Sequence, residues 1–284
     1  NPFKALVEAN MLQVIVFAIL LGMAIGKAGD SGKRIANQFN DWNEILMKLV
    51  TMLMQLAPYG VFSLLFSLFA RQGLGRVEDL AVYMLTVLGV LLIHGALVYP
   101  TILRFATGLS PFVFLSKMRD VQMFAFSTSS SSATLPITLG TVEKRLGVSN
   151  RVSSFSVPMG ATINMDGTAI MQGVATVFIS QAFDIDLSMT DYLMVIMTAM
   201  LASIGTAGVP GVGLVTLAMV LQQVGLPVEG IALIIGVDRI LDMARTAVNV
   251  TGDAMVSVVV AHSEKQLDEY VYKDNTGAVA RPAS

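Results

Sequence analysis

Residues 238–253 have the sequence DRILDMARTAVNVTGD and lie inside a long apolar stretch, 230–262. With about 100° between successive residues of an α-helix, six polar side chains of this segment fall within an arc of roughly 100°. They are Asp238, Asp242, Arg245, Thr246, Asn249 and Asp253. Because a charged side chain in mid-bilayer costs about 2.5–3.5 kcal/mol on insertion scales, the stripe must face protein or a water-filled cavity. We therefore predict one transmembrane helix with a buried ionic stripe.

The composition is typical of a membrane protein. Of the 284 residues, 54% are hydrophobic and only 13% are charged, about half the charged fraction of soluble domains. Cysteine is absent, which excludes disulfides and thiolate metal sites, and the net charge of −2 gives no sign of a nucleic-acid partner. We expect a multi-pass protein of the cell (inner or plasma) membrane, surrounded by the lipid bilayer. Since residue 1 is asparagine and no cleavable leader follows it, we also expect the chain to be a piece of a longer protein.

Long apolar stretches predict the other membrane segments, because a helix needs about 20 residues to cross the hydrocarbon core. They lie at about 10–28, 44–70, 79–103, 153–183 and 189–226, with a more mixed stretch at 110–143. The stretch 189–226 is too long for one straight crossing and is interrupted by SIGTAGVPG, residues 203–211. Glycine and proline break helices, so we predict a re-entrant hairpin that turns back within the membrane.

A second re-entrant hairpin is predicted at 110–143, where apolar segments flank the sequence STSSSSATLP, residues 127–136. A flexible linker is the alternative interpretation of a serine-rich run. Lysines and arginines lie on both sides of this hairpin, whereas residues 152–238 contain neither. By the positive-inside rule this hairpin opens to the cytoplasm and the other to the outside, as expected for an inverted repeat with a binding site between its halves.

The span 153–183 contains the sequence NMDGT, residues 164–168. Asparagine, aspartate and glycine are poor helix formers, so we predict an unwound turn whose free carbonyls can coordinate a hard cation. The alternative is an ordinary kink satisfied by neighbouring helices.

The charges expected at membrane depth do not balance. Four acids stand against two arginines, a net of two negative charges: Asp166, Asp238, Asp242 and Asp253 against Arg239 and Arg245. Unpaired buried carboxylates need cations or protons. Pairing of Arg245 with Asp238 or Asp242 at helical spacing is an alternative for part of the stripe. His94 lies in an apolar span, where we expect a packed or pore-facing histidine.

These motifs together resemble the dicarboxylate/amino acid:cation symporter family, which includes the sodium-coupled glutamate and aspartate transporters. The resemblance runs along the whole chain and rests on four segments, 133–136, 164–168, 203–211 and 242–253. It implies an all-α polytopic membrane protein with inverted repeats, two re-entrant helical hairpins and broken transmembrane helices. It further implies secondary active symport of aspartate or glutamate with Na+, by an elevator-like alternating-access mechanism in a homotrimer.

By this resemblance the stripe and its neighbours form the substrate pocket. Asp242, assisted by Thr246, would hold the substrate amino group, and Asn249 would hold the α-carboxylate. Arg245 would pair bidentately with the side-chain carboxylate, which suits its planar guanidinium. Three further groups would complete the pocket: Ser131, Thr168 and the backbone of Val209.

The resemblance also implies three sites for the co-transported Na+, with H+ as the alternative ion. The first would use Gly160, Asn164, Asn249 and Asp253. The second would use the carbonyls of Thr162, Ser203, Ile204 and Thr206. The third would involve Asn164 and Asp166, with ligands from an earlier helix of the family.

Two features depart from the family pattern. Ser129 stands where some members that take acidic substrates have an arginine, and Met243 stands where animal members have one. We expect Arg239 to supply that charge instead. Gln172 stands where animal members carry a proton-binding glutamate, which argues against their proton-and-potassium coupling.

The resemblance divides the chain into scaffold and trimerisation helices at 1–74, a transport domain at 75–262 and a cytoplasmic tail at 263–284. The hairpin at 189–226 would be the extracellular gate.

The nearest alternative function is a proton-coupled glutamate/aspartate or C4-dicarboxylate symporter. A passive channel is a further alternative. A membrane serine hydrolase that uses the serine run with His94 as base is disfavoured, because no Gly-x-Ser-x-Gly elbow surrounds these serines.

Overall fold

A computed structural model describes residues 2–7, 11–54, 76–204 and 210–274, together with the single positions 59, 62, 63, 66 and 208. This part of the chain is helical, and its only strand-type pairing is one antiparallel bridge between Val148 and Leu267. The prediction of an all-α protein is confirmed for these residues. In chain order the helices are α1 (Pro2–Val7), α2 (Met11–Lys27), α3 (Gly29–Met54), α4 (Arg76–Ile93), a π-helical turn (His94–Val98), α5 (Tyr99–Thr107), α6 (Pro111–Thr128), α7 (Ser131–Lys144), α8 (Asn150–Ile163), α9 (Asp166–Ala182), α10 (Met189–Ile204), α11 (Val212–Gln223), a 3₁₀ turn (Val228–Gly230), α12 (Ile231–Ser263) and α13 (Glu269–Lys273).

One helix of the described residues is long and apolar enough to cross a membrane. It runs from Glu78 to Thr107 through α4, the π-helical turn and α5, with a mean hydropathy of 2.2 in its most apolar window. Helix α3 begins at Gly29, well before the predicted stretch at 44–70, because hydropathy locates apolar segments and not helix ends. Most of 55–75 lies outside the described residues.

Helices α6 and α7 form a first helix pair, joined by only two residues. Ser129 adopts a left-handed conformation with φ 52° and ends α6. The Ser130 hydroxyl then caps α7 by accepting a hydrogen bond from the N–H of Ala133 at 3.1 Å. The predicted tip at 127–136 was therefore too long: serine and threonine act here as helix caps, and Pro136 lies inside α7.

Helices α10 and α11 form a second helix pair, whose tip touches that of the first. The Gly208 carbonyl accepts hydrogen bonds from the Ser130 hydroxyl at 2.6 Å and from the Ser132 N–H at 3.3 Å. Gly211 has φ 79° and precedes the first residue of α11, a conformation that favours glycine.

The predicted interruption of the 153–183 span is present between α8 and α9. Asn164 (φ −88°, ψ 86°) and Met165 (φ −116°, ψ 47°) are non-helical. The unwound segment is shorter than predicted, because Asp166, Gly167 and Thr168 already belong to α9. A carboxylate in the first turn is favoured by the helix dipole, which explains why the helix restarts at Asp166.

Helix α12 lies at the centre of the described part. It belongs to two hydrophobic clusters, one shared with α5, α6, α7, α8 and α13 and the other with α4, α9, α10 and α11. Its ionic stripe is buried, and so are Leu241 and Met255, which lie off the stripe. The stripe therefore faces protein, as its cost in lipid requires.

The segment 264–273, which we call the C-terminal clasp, folds back on the first helix pair. Val148 and Leu267 form the antiparallel bridge, and the Asp268 N–H donates to the Gly147 carbonyl at 2.7 Å. Gly147 has φ 76°, and a Cβ there would collide with the Asp268 carbonyl oxygen. Only glycine fits this close approach.

Two side chains anchor the clasp. Lys117 Nζ on α6 donates to the carbonyls of Arg145 at 2.8 Å and of Val271 and Tyr272 at 2.7 Å each. The Tyr272 side chain is fully buried and its hydroxyl donates to the Ser110 carbonyl at 2.9 Å. Burial raises the pKa of the Tyr272 phenol, so the hydroxyl stays a donor at neutral pH.

An exposed ion pair closes the end of the clasp. Lys273 donates to the Glu269 carboxylate at 2.6 Å, and this hydrogen bond lowers the pKa of Glu269 below its usual value. A carboxyl pKa that is lower in the folded state contributes stability above the unfolded pKa, which is lost as the pH falls. Because the pair is exposed, its contribution is small.

We predict that Tyr272→Ala lowers the unfolding free energy by roughly 3–5 kcal/mol, as expected for truncation of a buried aromatic residue. The measurement is the apparent melting temperature of the purified protein in detergent. Tyr270→Ala is the matched control, since Tyr270 lies on the same short helix and is 80% exposed. Equal melting temperatures for the two variants would contradict the packing of Tyr272 described here.

Candidate functional site

The buried ionic stripe of α12 has more acids than bases. Asp238, Asp242 and Asp253 are buried with a single buried base, Arg245, which leaves a net of two negative charges. Asp166 is half-buried and Arg239 is exposed, so neither belongs to the buried set. Arg239 makes no ion pair with the stripe among the described residues, and its role as a replacement for the missing arginines stays a prediction.

Arg245 is held between two carboxylates of its own helix. Its Nη2 donates to Asp242 Oδ1 at 2.7 Å, and its Nη1 lies 3.2 Å from Asp238 Oδ1. The alternative of internal ion pairing, open from the sequence, is therefore realised. The backbone of α11 also approaches the guanidinium closely, since a Cβ on Gly213 would lie 3.2 Å from both terminal nitrogens.

Asp242 joins α12 to the second helix pair. Its Oδ2 accepts a hydrogen bond from the Gly211 N–H at 3.0 Å, while Oδ1 is bonded to Arg245. The Thr246 hydroxyl donates to the Asp242 carbonyl at 2.8 Å. The Asp242 carboxylate thus bridges the tip of the second pair and the guanidinium.

The break between α8 and α9 packs directly on the stripe. The Gly167 N–H donates to Asn249 Oδ1 at 2.8 Å, and Asn249 Nδ2 donates to the Met165 sulfur at 3.2 Å. A Cβ on Gly167 would lie 2.9 Å from the Arg245 carbonyl oxygen. The Asn249 side chain is therefore oriented by backbone that the break exposes.

The four residues of the first predicted cation site lie together. Asn164 Nδ2 donates to Asp253 Oδ1 at 2.9 Å and to the Asn249 carbonyl at 3.2 Å. A Cβ on Gly160 would lie 2.6 Å from Asp253 Oδ1. Carboxylate, amide and carbonyl oxygens are ligands for hard cations, and rotation of the Asn164 amide would turn its oxygen towards such an ion.

The second predicted cation set is only partly described. Thr162 is the next-to-last residue of α8, and Ser203 and Ile204 end α10. Carbonyls at helix C-termini lack an intrahelical partner and are free to coordinate. Thr206 of this set and Val209 of the substrate set lie outside the described residues. Ser131 and Thr168 are buried, but neither is hydrogen-bonded to the stripe among the described residues.

Asp166 lies in a separate polar group that the sequence analysis missed. Its Oδ2 accepts a hydrogen bond from the Tyr99 hydroxyl at 3.0 Å and lies 3.1 Å from His94 Nε2. These side chains and Asn164 line a cavity of about 290 Å³. The π-helical turn places residues five positions apart on one face of the helix. The five-residue spacing of His94 and Tyr99 was therefore the one sequence feature that could have indicated this group.

This geometry bears on two earlier expectations. His94 pairs with Asp166, while Ser130 and Ser132 at the serine-rich tip bond to Gly208, so the Ser–His pair of a hydrolase is not formed among the described residues. The third predicted cation set, Asn164 and Asp166, lies on one cavity.

A helical, apolar chain with an interrupted helix and a buried, acid-rich stripe is typical of secondary membrane transporters. The chain belongs to the sodium:dicarboxylate symporter family, whose model matches residues 1–263. The family resemblance drawn from the motifs is confirmed.

Its relatives include named transporters from animals. The chain is 42% identical over 278 residues to the "Excitatory amino acid transporter" of Caenorhabditis elegans, covering 97% of this chain and 55% of the relative. It is 43% identical over 262 residues to human "Excitatory amino acid transporter 2", covering 91% and 46%. For rabbit "Excitatory amino acid transporter 3" the identity is 42% over 267 residues, covering 92% and 50%. The chain thus spans about half the length of these relatives, which are named as transporters and not as enzymes.

We predict that Gly160→Ala lowers the unfolding free energy by about 1–3 kcal/mol, because the added methyl collides with the Asp253 carboxylate. The measurement is the apparent melting temperature without added sodium. Gly173→Ala is the matched control, since a Cβ there meets nothing within 4 Å. If Gly160→Ala were as stable as Gly173→Ala, Gly160 of α8 would not lie against Asp253 of α12.

Proposed function

We propose that the protein containing this chain is a secondary active transporter that symports aspartate or glutamate with Na+. The observation that supports this most directly is the buried Asp242–Arg245 pair beside the break between α8 and α9. The family is described as sodium:dicarboxylate symporters, and the relatives are named for excitatory amino acids.

An acidic amino acid matches the charges of this pair. The substrate ammonium would bind the Asp242 carboxylate, assisted by Thr246, and its side-chain carboxylate would bind the Arg245 guanidinium bidentately. Substrate binding then exchanges one ion pair for two, so neither buried charge is left without a partner. Asn249 would hold the α-carboxylate, and three further groups would complete the pocket: Ser131, Thr168 and the backbone of Val209.

Charge balance calls for a co-transported cation. The buried part of the stripe already carries a net of two negative charges, and an acidic amino acid brings one more. The oxygens around Asp253 would hold one Na+, with Gly160, Asn164 and Asn249. The carbonyls of a second site would come from Thr162, Ser203, Ile204 and Thr206, and a third would lie at Asn164 and Asp166.

Protons could balance the same charges, so a proton-coupled glutamate/aspartate or C4-dicarboxylate symporter is the second candidate. Gln172 is fully buried and its Nε2 donates to the Thr216 hydroxyl at 2.7 Å. An amide cannot take up a proton at neutral pH, so this position does not supply the proton site expected of the animal members. We therefore favour Na+ as the driving ion.

The proposed transport movement is elevator-like, with residues 75–262 as the moving domain and 1–74 as the trimerising scaffold. Both hydrophobic clusters of the described part draw their buried members from 83–272, which supports this division. The two helix pairs would be re-entrant hairpins of an inverted repeat in the cell membrane. The second pair would be the gate, since Gly211 and Gly213 lie over Asp242 and Arg245.

We predict that the full-length protein, reconstituted in proteoliposomes, accumulates labelled aspartate when an inward Na+ gradient is imposed. Excess unlabelled aspartate or glutamate should compete, and succinate and serine should compete less, because they lack the ammonium or the second carboxylate. Uptake that needs only a proton gradient would support the second candidate. Equilibration without accumulation would indicate a passive channel.

We predict that Arg245→Ala reduces aspartate uptake at least tenfold, since the variant loses a charge-assisted bidentate contact worth roughly 1.5–3 kcal/mol. Neutral amino acids should be less affected. Arg239→Ala is the matched control, because Arg239 lies on the same helix but is exposed.

Arg245→Ala leaves two buried carboxylates without their partner, which can itself prevent folding. Arg245→Lys is therefore a second variant, in which the positive charge is kept. It should fold, yet transport aspartate poorly, because lysine lacks the planar fork. Unchanged aspartate affinity in Arg245→Ala would refute the assigned role.

A further inference from the structure

Tyr83 lies on α4, outside every residue set assigned above. It is 2% exposed, and its ring packs against Phe178 of α9 with 5.0 Å between the ring centroids. Its hydroxyl is buried and has no hydrogen-bond partner among the described residues. A buried tyrosine hydroxyl normally has such a partner, so this one calls for an explanation.

The same unsatisfied state recurs next to it, on Asp238 and Arg245. Asp238 Oδ1 and Arg245 Nη1 form their ion pair at 3.2 Å without a well-oriented hydrogen bond, and the buried Arg245 Nε has no hydrogen-bond partner within the described part. Tyr83 packs in one hydrophobic cluster with Val237 and Ala244, the chain neighbours of Asp238 and Arg245 on α12. Donors and acceptors gathered in one buried place satisfy one another through a small side-chain movement or through one ordered water.

We propose that Tyr83 is a positioning residue for Arg245. Its hydroxyl donates, directly or through one water, to Asp238 Oδ1, the oxygen that lies 3.2 Å from Arg245 Nη1. The hydroxyl thereby fixes the Asp238 carboxylate, and the carboxylate fixes the far side of the guanidinium. Nothing in the family description or in the names of the relatives assigns a role to this tyrosine.

This inference rests on the proposed function, because the role of Tyr83 concerns the state in which a substrate is bound. When an ammonium binds Asp242, Arg245 loses the partner at Nη2, and Asp238 remains as its ion-pair partner among the described residues. A guanidinium that is free to rotate binds a carboxylate less well than one already aligned. Tyr83 therefore sets the affinity for the side-chain carboxylate and leaves the translocation rate unchanged.

The test compares four proteins in proteoliposomes: wild type, Tyr83→Phe, Asp238→Asn and the double variant. Tyr83→Phe should raise the KM for aspartate about fivefold, the effect of one lost hydrogen bond, with an unchanged maximal rate. Asp238→Asn should raise KM further, and the double variant should match Asp238→Asn alone, because the tyrosine acts through the carboxylate. Tyr192→Phe, on α10, is the control and should behave like wild type.

The four proteins form a double-mutant cycle for KM. A second double-mutant cycle uses their apparent melting temperatures, measured without substrate. Coupling between the two substitutions there supports the Tyr83–Asp238 contact, even if wild type fails to transport aspartate and the proposed function falls. Additive effects in both cycles, or an unchanged KM in a folded Tyr83→Phe variant, would overturn the inference.

Discussion

The Arg245 guanidinium, 1% exposed, is held between the carboxylates of Asp238 and Asp242 on its own helix. A buried arginine is tolerated only when it is paired, so this arrangement fixes what can surround it. Two hydrophobic clusters enclose α12, and the break between α8 and α9 brings polar backbone to its stripe. The helices packed around α12 keep these few charges out of lipid.

The pairing also explains how the proposed substrate site can remain stable without a substrate. Asp242 is bonded at once to Arg245 and to the Gly211 N–H, so an internal ion pair and the second helix pair occupy the place that we assign to the substrate. A ligand with an ammonium and a carboxylate can replace this pair at little electrostatic cost, whereas a singly charged ligand would leave one partner unpaired. The proposed selectivity for an acidic amino acid rests on this exchange.

The elements governed by local pattern were predictable from the sequence: the stripe follows from helical spacing, and the break follows from the poor helix formers at 164–165. Contacts between distant segments were not. The sequence gives no direct sign that His94 meets Asp166, or that the backbone at 147–149 pairs with 266–268. Burial was likewise not predictable from charge, since only the structure shows that Arg245 of α12 is buried and Arg239 is exposed. Of the predicted cation sets, the first lies together at the break between α8 and α9, and Asn164 and Asp166 of the third line one cavity.

The central claim is that the excess of buried acids makes acidic-substrate binding depend on a cation. The most direct measurement is the dissociation constant for aspartate of the purified full-length protein, by calorimetric titration at increasing NaCl with choline chloride keeping the ionic strength constant. The affinity should rise steeply with Na+, by more than one power of its concentration, because more than one negative charge has to be balanced. An aspartate affinity that is the same in sodium and in choline would contradict the account.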